Sequence, residues 1–192
     1  GKYDPTAFTV EEFDDGFIGE QAVAYIVRYA QDAPFYLHVG FLGPHPPYWV
    51  PEPYASQYHP EASPAPKVPV SATEPDPRTV ARAQRARAQY FGRIALIDAY
   101  VGRIVSALAQ RGILDNTLII FTADHGDLIG DYDIFDKRYF YEQSVRVPLI
   151  IAGPGVELNP RLGARTCREL VSGVDLYPTC LHVAGMTAGQ EN

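Results

Sequence analysis

The sequence predicts an α/β fold with a parallel core, and three observations carry that prediction. Short apolar runs at 35–41, 117–123 and 147–152 read as strands bounded by Pro and Gly. Between the first two, Ile94, Ile97, Val101, Ile104, Val105 and Leu108 recur at three- and four-residue spacing, which is one face of a helix. The strands are separated by long connections of the kind parallel pairing requires, with helices covering the sheet.

Each element follows in order. Residues 3–14 are mixed and read as irregular. Residues 15–29 place Phe17, Ile18, Val23, Ile26 and Val27 on a helical face, with Asp14 or Asp15 suited to the N-cap. After the 35–41 strand, the stretch 44–77 holds 11 of the 17 prolines, which excludes regular helix or a central strand. Its aromatics, Tyr48, Trp49, Tyr54 and Tyr58, point to a loop packed on a surface, and loops of this length are commonly functional. Residues 78–111 form one long helix or two joined near Gly92, closed by Gly112. Arginines 78, 82, 85, 87 and 93 are spread around it and read as a solvated face. A last helix at 175–183 carries Pro178 in its first turn and Gly185 beyond its end.

Composition narrows the function classes. A chain of 192 residues, 46% hydrophobic, can bury one substantial core, so a single domain over 1–192 is expected. Sixteen basic against 23 acidic residues give −7, which offers no general attraction to nucleic acid or an anionic membrane. There is no transmembrane-length apolar run and no signal-peptide pattern, and localisation is left open. The start Gly1-Lys2-Tyr3 reads as a piece whose true N-terminus lies elsewhere. Cys167 and Cys180 form neither a zinc spacing nor a disulfide framework, and Cys180 reads as a small core residue.

The most informative stretch is Phe121-Thr122-Ala123-Asp124-His125-Gly126-Asp127, with Asp136-Lys137-Arg138 downstream. It places a carboxylate and an imidazole at the carboxyl edge of a strand, where open α/β sheets bind ligands. Hard oxygen beside borderline nitrogen suits a divalent cation. An isolated Asp-His-Gly also reads as a plain strand-to-loop turn, so the other motifs decide.

Those motifs run from Tyr90-Phe91-Gly92-Arg93-Ile94 through Asp98-Ala99-Tyr100-Val101-Gly102 and Thr122-Ala123-Asp124-His125-Gly126-Asp127. Phe135-Asp136-Lys137-Arg138 and Tyr141-Glu142-Gln143-Ser144-Val145-Arg146-Val147-Pro148-Leu149 follow. Together they resemble the sulfatase family of the alkaline phosphatase superfamily. Gly43-Pro44-His45-Pro46-Pro47 resembles that family's strand-end His-Pro loop, and Asp175-Leu176-Tyr177-Pro178-Thr179 its Asp-x-x-Pro-Thr helix start. The resemblance covers roughly 15–185 in the family's order. It implies a sandwich with a mostly parallel central sheet flanked by helices, present here as a partial domain from its middle to its C-terminal part.

What the resemblance implies about chemistry follows residue by residue. Asp124 and His125 would be metal ligands, with Ca²⁺ foremost and Mn²⁺ or Zn²⁺ as alternatives. Lys137 would contact the sulfuryl or phosphoryl oxygens as a compact charge. His45 would face the leaving oxygen of the ester and stabilise or protonate it. The substrate would be a sulfated small molecule or sugar. The family's nucleophile, a Cys or Ser converted to formylglycine within Cys/Ser-x-Pro-x-Arg, matches neither Cys167 nor Cys180, and is expected in a segment N-terminal to these residues. The family's Asp-Asp metal pair is not transferred to Asp14-Asp15, which stands at a helix start. Three readings remain: a sulfuric ester hydrolase domain inactive as this chain alone, a phosphonate monoester or phosphodiester hydrolase of the same superfamily, and a non-catalytic binding or structural remnant. Oligomeric state is left open.

Overall fold

The computed structural model describes residues 5–69, 71, 73–74, 76–156 and 166–186. Positions 3 and 4 of the irregular opening stretch lie outside that set. Two compact units emerge, residues 1–154 and 155–192.

Helix α1 spans Asp14–Arg28, and α2 spans Pro77–Gln110 as one uninterrupted helix of 34 residues. Asp76 caps α2 by accepting the backbone N–H of Thr79 at 3.2 Å, and Pro77 takes the first turn, where a missing N–H costs nothing. Gly92 does not break it. Gly112 ends it at φ +68°.

The helices α1 and α2 pack together on a face of α1 that overlaps the expected one at Ile26 and Val23 but not at Phe17 and Val27. Asp15, Gly16, Gly19, Ala22 and Ile26 are buried, whereas Phe17 and Val27 are more than half exposed. Small residues explain the rotation. The Tyr100 ring of α2 sits where a Cβ on Gly19 would lie, so the helices approach along a glycine–alanine stripe. The N-cap is Phe13, with Asp14 and Asp15 inside the first turn, because both carboxylates are engaged elsewhere.

The proline-rich segment closes the core over these helices. Phe13, Val50, Ala55, Leu96 and Tyr100 form one buried cluster, and Tyr48, Ala86 and Ile129 another. Thus the aromatic-bearing loop is anchored on α2, as its composition indicated. A third cluster joins Ile26, Ala107 and Leu108 to Phe35, Leu37 and Ile119, which seats the end of α2 against the first strand.

The sheet departs from expectation. Strand β1, Ile119–Thr122, pairs with β2, Leu149–Ala152, in antiparallel register, with Ile119 opposite Ala152 and Thr122 opposite Leu149. The predicted parallel core is therefore not what the described residues form. The connection doubles back through a loop at 128–136 and the short helix α3, Glu142–Val145, which returns the chain in the opposite direction. Residues 35–41 are extended and alternate between half-buried and exposed, yet join no ladder among the described residues.

The second unit carries helix α4, Leu176–Val183, after a 3₁₀ turn at Gly173–Asp175. Asp175 closes a capping box with Ser172, and Thr179 Oγ1 donates to the Asp175 carbonyl at 2.6 Å. These bonds fix the turn that leads into α4 and its first residues. Among the described residues no helix is long and apolar enough to cross a membrane.

A clasp between α1 and α2 supplies a pH-dependent increment of stability. Glu20 accepts from both guanidinium nitrogens of Arg103 and from the Tyr100 hydroxyl at 3.0 Å. The Arg103 hydrogen bonds hold the Glu20 carboxyl below its ordinary 4.5. A lowered folded value means that this stabilisation is present above the unfolded pKa and lost as pH falls through the folded one. Both side chains are partly exposed, so the gain is below about 1 kcal/mol. Glu20→Gln should accordingly lower the urea midpoint at pH 7, and the gap to the wild type should close in acid as the folded Glu20 is protonated. A gap that stays constant across that range would contradict the clasp.

Candidate active site

The site is built where two loops meet over α2. The first loop, 42–47, is held from below by Asp15, a fully buried carboxylate at the start of α1. Its Oδ1 accepts the backbone N–H groups of Leu42 at 2.8 Å and Gly43 at 3.0 Å, and its Oδ2 takes Arg93 Nε at 2.5 Å. Arg93 extends one nitrogen to Asp14 and another to the His45 carbonyl at 3.4 Å. A buried ion pair thus sets the loop that carries His45. Two of the five arginines read as solvated, Arg87 and Arg93, are in fact buried and paired, because their acidic partners lie far away in sequence.

The second loop leaves β1 as Ala123-Asp124-His125-Gly126-Asp127. Gly126 packs so closely on the Gln143 carbonyl that a Cβ there would clash, and its N–H donates to the Ser144 carbonyl at 2.7 Å. Ser144 Oγ in turn donates to the Lys137 carbonyl at 2.9 Å. One serine therefore ties the Asp-His-Gly turn to the Lys137 segment. Asp127 joins the two loops: it accepts the buried Tyr48 hydroxyl at 2.6 Å and the Ile129 N–H at 2.9 Å. Tyr90 lies beside this joint, its phenol pushed up to about 12 by burial and by the Asp127 charge.

Three of the four expected site residues are brought together directly. The imidazoles of His45 and His125 lie 6.3 Å apart, centroid to centroid, and Asp124 Oδ2 is 3.5 Å from His125 Nε2. Lys137 is attached to the same turn through Ser144, and its N–H donates to Asp136 Oδ1 at 2.8 Å. That backbone bond, with Arg138, lowers the Asp136 pKa. Both histidines donate Nδ1–H to a neighbouring carbonyl, His45 to Pro46 at 2.7 Å and His125 to Gly126 at 2.8 Å. In both rings Nε2 is the nitrogen that the carbonyl does not engage. Tyr48, Asp127, Asp15, Arg93 and Ser144 were not foreseen as parts of the site. Asp127, Arg93, Ser144 and Tyr48 lie within or beside the motifs that carry the resemblance, but nothing in those motifs gave them these contacts, and Asp15 carries no signal.

The sulfatase family model matches residues 2–186. This chain belongs to the sulfatase family. It is 32% identical over 181 residues to an arylsulfatase of Clostridium perfringens, covering 88% of this chain and 37% of that protein. It is also 32% identical over 197 residues to a choline-sulfatase of Rhizobium meliloti, covering 92% and 37%. The fold superposes on a phosphonate monoester hydrolase of Agrobacterium radiobacter with a TM-score of 0.81 at 31% identity, covering 95% of this chain and 41% of that one. The fold is therefore the α/β fold of the sulfatases, and the chain spans about two fifths of the length of these relatives.

The family implies a divalent cation, and the described residues fit it in part. Asp124 and His125 offer one carboxylate and one imidazole nitrogen on the same turn, which suits two positions of a shell. No group of three or more potential metal-binding side chains occurs among the described residues.

Proposed function

We propose that this chain contributes one face of a metal-dependent sulfuric ester hydrolase site. The observation that carries the reading is the meeting of His45 and His125 at 6.3 Å, each with Nδ1 engaged by a backbone carbonyl. Asp124 and His125 would hold the cation, Ca²⁺ foremost, which when bound polarises the ester oxygens. Lys137 holds the negative oxygens of the transferred group as a point charge. His45 binds a proton at Nε2 and delivers it to the leaving oxygen. Its backbone, fixed by Arg93 and Asp15, keeps that nitrogen from swinging away. The substrate class is a sulfated small molecule or sugar.

A second reading, hydrolysis of phosphonate monoesters or phosphodiesters, is favoured by the 0.81 superposition on a phosphonate monoester hydrolase. Both reactions place negative oxygens against the same cations, so activity must separate them.

With two metal ligands, the chain alone should bind metal weakly, since Ca²⁺ takes roughly 6–8 oxygen ligands. It is expected to turn over neither 4-nitrophenyl sulfate nor phenyl phosphonate esters. Grafted in place of the matching 181-residue stretch of the Clostridium perfringens arylsulfatase, it should restore metal-dependent hydrolysis, faster for the sulfate. A folded graft that hydrolyses neither ester would indicate a non-catalytic remnant. Preference for the phosphonate would favour the second reading.

A further inference from the structure

The loop that precedes Lys137 has a backbone unlike the rest of the chain. Ile129, Gly130, Tyr132, Asp133 and Asp136 all have positive φ, at 41°, 89°, 58°, 62° and 131°. Four of these are not glycine, and such conformations cost about 1–3 kcal/mol each unless surrounding contacts impose them. The contacts are present. Arg87, buried, donates to the Ile129 carbonyl and pairs with Asp131 at 2.6 Å, while Asp131 also accepts Lys67 N–H and Gln143 Nε2. Tyr132 N–H donates to the Lys67 carbonyl at 2.8 Å. The strain is therefore imposed from below by a buried network.

What it presents is a strip of aromatic rings. Tyr132 stacks on Tyr141 at 4.4 Å with 23° between the planes, and Tyr139 lies 6.3 Å from Tyr141. These rings are not a core. Tyr139 is 55% exposed and Tyr141 40%. Tyr132 itself is half-buried, and the ring it stacks on is partly exposed to solvent. The strip is continuous with the ester-facing loop: Ser144 bridges the two, its N–H donating to the Tyr141 carbonyl at 2.8 Å and its hydroxyl to the Lys137 carbonyl.

We infer that Tyr132, Tyr139 and Tyr141 form a binding subsite for the ring of the leaving group, a six-membered aryl or pyranose ring carrying the ester. This rests on the proposed ester site, because Lys137 supplies the anion contact from which the ring extends. Stacked phenol faces offer a flat apolar surface that an acyclic leaving group cannot use. Ring contact away from the reacting atoms is how binding energy selects among esters of one chemistry.

The test is ligand-observed saturation-transfer NMR on the 192-residue chain, with 4-nitrophenyl sulfate, glucose 6-sulfate and methyl sulfate as sulfate probes. Phenyl β-glucoside serves as a neutral ring. Saturation should be strongest on ring protons, and Tyr141→Leu should weaken the ring-bearing probes about five- to tenfold while leaving methyl sulfate unchanged. Tyr141→Phe should retain binding, which separates loss of the ring from loss of the fold. Greater loss for the aryl probe than for glucose 6-sulfate would assign the strip to aryl esters, and the reverse to sugars. Lys137→Ala should weaken all three sulfates alike and spare the neutral ring. If Lys137→Ala has no effect, the ester reading fails, whatever Tyr141 does. Equal affinity for ring and acyclic probes, absence of ring binding, or a concentration-dependent dimer abolished by Tyr141→Leu would each overturn the subsite.

Discussion

Arg93→Leu is expected to destabilise the protein by about 3–5 kcal/mol, which would remove much of the stability of a domain this size. The substitution leaves Asp15, which has no exposed surface, without its cation. An ion pair can be replaced by apolar residues at little cost, but removing one partner strands the other in a low-dielectric interior. Asp15→Asn is expected to cost less, because an amide oxygen can still accept the Leu42 and Gly43 N–H groups. Urea unfolding followed by circular dichroism measures both, with the midpoint lowered at an unchanged slope. Arg93→Leu within about 1 kcal/mol of the wild type would show that the pair is not what holds the His45 loop.

Lys137→Ala should lower turnover of the grafted enzyme by about 100- to 1000-fold, the usual consequence of removing one group that faces charge developing in the transition state. The loss should fall on kcat more than on KM, since the contact strengthens as negative charge accumulates. Lys137→Arg should recover only part of it. The flat guanidinium fork is broader than an ammonium, and the Lys137 backbone is fixed by Ser144 and Asp136, so it cannot shift to accommodate the change. Turnover within threefold of the unsubstituted graft would remove Lys137 from the reaction.

Much of the local structure was legible in the chain. The amphipathic spacing of 94–108 and the glycine at 112 locate α2 closely. Runs such as Leu118-Ile119-Ile120-Phe121 mark a strand because β-branched and aromatic residues fit a pleated surface. Strand direction was not legible. Period-two alternation is the same for parallel and antiparallel partners, and connection length leaves the choice open when a loop can fold back on itself. The segment 35–41 shows the same limit: it has the alternation of a strand, but pairing depends on a neighbour that local sequence does not specify.

Within the site, residues with a characteristic chemical signature were found, and those that hold them were missed. Asp-His-Gly and His-Pro-Pro stand out as motifs. Arg93 and Asp15 are 78 positions apart, and Arg87 and Asp131 are 44 apart. Charge spacing along one helix cannot reveal such partners, so two buried cations were read as part of a solvated surface. Tyr48 and Asp127, 79 positions apart, were hidden for the same reason.

Helix α2 acts as a ruler, which constrains how this chain can change length. Arg87 holds the loop before Lys137 and Arg93, six positions further on, holds the loop of His45. A single insertion or deletion between them would turn one arginine by about 100° relative to the other and slide it about 1.5 Å along the axis. Either loop would then lose its anchor while the helix itself remained intact. Length variation among descendants of this sequence should therefore gather in the exposed stretch between 56 and 62 and be absent between 87 and 93, even though both stretches are short and neither contains a reacting group.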